Sequence, residues 1–64
     1  MLGTTPVHIT YGGKRYSGEW LLDRSGMVHL HSIYGNLSRP ASERTSPEIL
    51  AEVMLRVLVR DWTS

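Results

Sequence analysis

Val7-His8-Ile9-Thr10-Tyr11-Gly12-Gly13-Lys14-Arg15-Tyr16-Ser17-Gly18-Glu19-Trp20-Leu21-Leu22 reads as two strands joined by a two-residue turn. Apolar and polar residues alternate from Val7 to Tyr11, the period of a strand with one buried face. Gly12-Gly13 accepts the positive φ that a tight hairpin demands. Pairing Tyr11 with Lys14 sets Ile9 opposite Tyr16 and Val7 opposite Gly18.

Downstream, Asp23-Arg24-Ser25-Gly26 forms the next reversal, with three loop residues ending in Gly26 as in a type I turn closed by a glycine bulge. Setting Leu22 opposite Val28 and Trp20 opposite Leu30 then gathers Val7, Ile9, Tyr11, Tyr16, Trp20, Leu22, Val28, Leu30 and Tyr34 on one face. A slip of one residue scatters that set, so the two hairpins support each other. Gly35-Asn36 breaks the third strand, and a polar connector follows to Thr45. Ser46 suits an N-cap, Pro47 the first helical position and Glu48 the positive end of the helix dipole. The predicted architecture is α+β: a three-stranded antiparallel β-meander, with strands about 6–11, 14–22 and 27–34, a connector over 35–45 and one C-terminal α-helix over about 47–61, all in a single domain over 1–64.

The helix carries two apolar stripes. At 100° per residue Ile49, Leu50, Val53, Met54 and Val57 share one, and Ala51, Leu55, Val59 and Trp62 the other. The first is assigned to the sheet. The second then needs a partner, and a second copy of the chain is the simplest one, with Leu55, Val59 and Trp62 as interface residues. Sixty-four residues bury only about 60% of the surface the unfolded chain exposes, so oligomerisation is a natural staple. A long connector also allows a domain-swapped dimer.

The chain has no Cys, which removes disulfides, thiolate metal sites and a Cys nucleophile, and suits a reducing, cytoplasmic setting. Seven Lys and Arg balance six Asp and Glu, too even for electrostatics alone to indicate nucleic acid or a membrane. No apolar run approaches the roughly 18 residues of a membrane span, and the first residues lack the pattern of a signal peptide.

His8, His29 and His31 fall on the sheet face opposite the core, with Glu19 across from His31 and diagonal to His8. His29, His31, Glu19 and His8 are the residues a metal would use, but no fixed further ligand or second shell accompanies them, and no metal or other cofactor is expected. Ser32 follows His31 and lies near Glu19 in the expected register, but points to the other face. No nucleophile elbow, P-loop or dinucleotide fingerprint is present, so no catalytic residue is assigned. Leu21, Met27 and Ile33 add apolar groups to the outer face. Lys14, Arg15, Arg24, Arg39 and Arg44 are the cations a nucleic-acid binder would use. Three strands followed by a helix is similar in element order to integrase arm-binding domains, although no motif of that family carries over. The functional expectation is a small non-enzymatic protein-interaction domain that self-associates as a homodimer, with weak nucleic-acid binding as the alternative.

Overall fold

The computed structural model describes residues 3–64; Met1 and Leu2, at the head of the domain expected over 1–64, lie outside them. β1 (Thr5–Tyr11), β2 (Lys14–Leu22), β3 (Met27–Ser32) and β4 (Gly35–Pro40) form an antiparallel sheet in the order β1-β2-β3-β4, and α1 (Pro47–Thr63) packs on one face. Both expected registers are present: Tyr11 pairs with Lys14, Ile9 with Tyr16 and Val7 with Gly18, then Trp20 with Leu30 and Leu22 with Val28. Gly12 and Gly13 take φ of 58° and 79° in the first turn. In the second, the Gly26 amide donates to the Asp23 carbonyl at 3.2 Å with Gly26 at φ 88°, closing the bulge.

The sheet has four strands, where the sequence suggested three. β3 stops at Ser32, Ile33 and Tyr34 make a two-residue turn, and Gly35–Pro40 returns as β4 through residues assigned to the connector. Ser32 ties the turn with its hydroxyl, which accepts from the Tyr34 amide at 3.2 Å and donates to the Gly35 carbonyl at 2.9 Å. Gly35 sits at φ 136°, and a Cβ there would stand 3.2 Å from Cδ2 of Leu58. An edge strand exposed along one side needs little apolar content, and Leu37 is its one core-facing anchor, opposite Leu30.

Ser46 caps α1, its hydroxyl accepting from the Ile49 amide at 3.3 Å, and Pro47 opens the helix. The helix turns Ala51, Leu55 and Val59 of the second stripe to the sheet together with Met54 of the first, and leaves Trp62 outside. Ala51, Met54, Leu55 and Val59 are buried against Val7, Ile9, Val28 and Leu30, with Leu50 and Leu58 packed beside them. Ile49 and Val53 face outward, 53% and 50% exposed. Of the helix residues expected in the core, Met54 is buried, Leu50 and Val57 are half-buried, and Ile49 and Val53 lie outside it. Among the sheet residues Leu22 is exposed, while Tyr11, Tyr16, Trp20 and Tyr34 flank the core. Full burial of Leu30, Leu55, Val28 and Val59 contributes about 1.5–3 kcal/mol each. No helix among the described residues is long and apolar enough to cross a membrane.

Candidate functional site

Two surfaces carry the residues singled out above. On the sheet face turned away from α1, the register lines up Leu21, His29 and Ser38 in one row and Glu19, His31 and Asn36 in the next. His29 is held from both sides: Nε2 donates to Oδ2 of Asp23 at 2.7 Å, and Nδ1 lies 2.8 Å from Oγ of Ser38. An ionised carboxylate only accepts, so in the neutral ring Nε2 carries the proton and Nδ1 accepts from the Ser38 hydroxyl. Asp23 is fixed by its own turn. Its Oδ1 accepts from the Ser25 hydroxyl at 2.6 Å, the Ser25 amide at 2.9 Å and the Met27 amide at 3.0 Å. The Ser25 hydroxyl, then His29 and the Met27 amide, hold the carboxyl well below the usual carboxylate range.

This bonding occupies two of the four candidate metal ligands. His29 spends both ring nitrogens on Asp23 and Ser38, and His31 turns Nδ1 to Oδ1 of Asn36 at 3.3 Å. His8 pairs with Ser17, diagonal to Glu19 as expected. Among the described residues no group of three or more His, Cys, Asp or Glu side chains is arranged to hold a metal ion. Asp23, His29 and Ser38 stand in acid–base–hydroxyl order, a chain that sequence reasoning missed. Ser38 is exposed on an open sheet face, and the chain clasps the β2–β3 turn to β4. Recognising β4 would have revealed it, since the register then places Ser38 opposite His29.

The second surface is the flank of α1 beside β1. Leu55 and Val59, expected at an interface, are instead sealed between helix and sheet with no exposure, because the helix turns its other stripe outward. Trp62 remains 59% exposed and meets Tyr34 edge-on, with ring centroids 5.0 Å apart; Tyr16 lies 6.5 Å from Trp62 and 5.4 Å from Tyr34. The outward residues Ile49 and Val53 border hollows along β1. One, of about 490 Å³, lies between Pro6, Trp20, Glu48 and Ile49; the next, of about 410 Å³, lies between His8, Thr10, Arg15, Glu52 and Arg56. A third, of about 220 Å³, sets Tyr11 against Val53, Val57 and Arg60.

The five cations named for nucleic acid are all exposed but split between the ends of the sheet. Lys14 and Arg15 follow the first turn, Arg24 sits in the opposite turn, Arg39 near the end of β4 and Arg44 in the connector. Glu19 lies between the two groups, in mid-sheet. Comparison with protein-family models, with curated proteins and with solved structures returned no match.

Proposed function

We propose that this chain is a small non-enzymatic interaction domain acting as a homodimer, with the second copy meeting the α1 flank beside β1. The observation that supports it is the apolar stripe of Ile49 and Val53, half exposed on a helix whose other stripe already fills the core. The excess apolar surface on this helix survives the change of buried face, and with it the argument for a partner. A core this small gains most from oligomerisation, in a chain without Cys to staple it. A cytoplasmic setting belongs to the same reading, since a Cys-free composition suits a reducing compartment.

Sedimentation equilibrium across a range of concentrations, at low and high salt, tests the reading. A dimer at both salt levels is expected. A wild-type monomer would overturn it; a salt-sensitive affinity for DNA in that monomer, lost with Arg15→Ala or Arg24→Ala, would put nucleic-acid binding in its place. The non-enzymatic part has its own test. Labelling of wild type by a fluorophosphonate, abolished in Ser38→Ala, would reveal a reactive serine and defeat that part.

A further inference from the structure

We infer that two copies join edge to edge through β1, antiparallel about a two-fold axis at Ile9, so that their sheets run on as one; this deepens, and rests on, the homodimer reading.

The backbone of β1 is prepared for such a contact. A two-residue turn makes Tyr11–Lys14 a hydrogen-bonded pair, and alternation makes Ile9–Tyr16 and Val7–Gly18 bonded pairs as well. The peptide groups of Pro6, His8 and Thr10 therefore point away from β2, along an edge that no strand covers among the described residues. An axis at Ile9 sets His8 opposite Thr10 of the second copy, and by symmetry Thr10 opposite its His8. Every N–H and C=O of those residues then finds a partner. Pro6 has no N–H to give, and this axis leaves it beyond the ladder, against the Gly12 turn. Moving the axis to Val7 would set His8 against Pro6 and forfeit a bond at each end, so Pro6 selects the register.

Charge selects the same axis. α1 runs beside β1 with Glu48 and Glu52 along the hollow at Thr5 to His8, and with Glu52, Arg56 and Arg15 along the hollow from His8 to Thr10. Arg60 follows beside Tyr11. The flank is acidic at one end and basic at the other, a pattern that an antiparallel copy of itself complements. Glu52 and Arg56 straddle Met54 as His8 and Thr10 straddle Ile9, so one axis places Glu52 opposite Arg56 of the second copy while it closes the backbone ladder. An isologous contact has to be self-complementary in this way. Ile49 borders the same hollow as Glu48, so the joined copies narrow the water around it.

The test measures the dimer dissociation constant of wild type, His8→Pro, Glu52→Arg, Arg56→Glu and the double variant E52R/R56E. His8→Pro removes an amide that β2 does not use, so circular dichroism should stay that of the wild type while the dimer weakens about tenfold or more. Each single charge reversal should weaken it several-fold, on the order of fivefold, and the double reversal should restore it. A dimer indifferent to all four variants but broken by Val53→Glu would overturn edge pairing and leave the homodimer reading standing. A monomeric wild type would overturn both.

Discussion

Asp23 shows how much one side chain organises. Its carboxylate opens the β2–β3 turn, accepts from two backbone amides and a serine hydroxyl, and anchors His29, which in turn reaches Ser38 on β4. Those donors favour the ionised form, so the folded-state pKa lies below the value near 3.9 of an unfolded chain. A depressed carboxylate contributes stability that is fully present above the unfolded pKa and is lost as pH falls through the folded one. Thermal unfolding followed from pH 6 downward should therefore show the wild type losing stability below about pH 4. Asp23→Asn should begin less stable and lose less over that range; equal acid slopes for the two proteins would contradict this. Gly35 makes a second single-residue case. Ala there meets both a φ of 136° and the Leu58 methyl, so Gly35→Ala should destabilise by about 1–3 kcal/mol in urea unfolding. The conformational demand was half legible in advance: a Gly-Asn pair announced a break, but not that the glycine was the first residue of a strand.

Among the elements, the hairpins were legible and the last strand was not. Gly12-Gly13 and Asp23-to-Gly26 carry turn chemistry, and alternation on both sides pins the registers. The β3–β4 turn is Ile33-Tyr34, which has none; Ser32 supplies the missing tie from outside the turn. Edge strand β4 shows water its outer face and its free edge, and its composition is that of a loop. The helix start was legible from Ser46 and Pro47, and Ser46→Ala should cost about 1 kcal/mol of stability in the same urea measurement. The helix faces were not legible, because both stripes are apolar enough to bury. One signal distinguishes them. At 100° per residue Arg60 falls between Ile49 and Val53, inside the stripe first assigned to the core, whereas Ala51, Leu55 and Leu58 share an arc free of charge. Arg60 stands in the last turn, but Arg56, about two turns from the helix end, falls beside Ile49 as well, and weighing both charges would have turned the helix over.

For the whole molecule, that rotation changes which residues serve folding and which remain for a partner. Leu55 and Val59 become core; Ile49 and Val53 become surface. The candidate site was legible only as a category, an unpartnered apolar stripe, since naming its residues required knowing how the helix sits on the sheet. The clasp of Asp23, His29 and Ser38 was out of reach for a related reason: it joins a turn to a strand that the sequence hides. α1 is thus divided into a buried stripe and an outward one, and the proposed second copy meets the outward one. The most direct measurement compares Leu55→Glu with Val53→Glu by circular dichroism and sedimentation equilibrium on the same samples. A charge at Leu55 should abolish the fold, while Val53→Glu should keep the wild-type spectrum and sediment as a monomer. A folded chain from Leu55→Glu, or a Val53→Glu that is unfolded or still dimeric, would contradict that division.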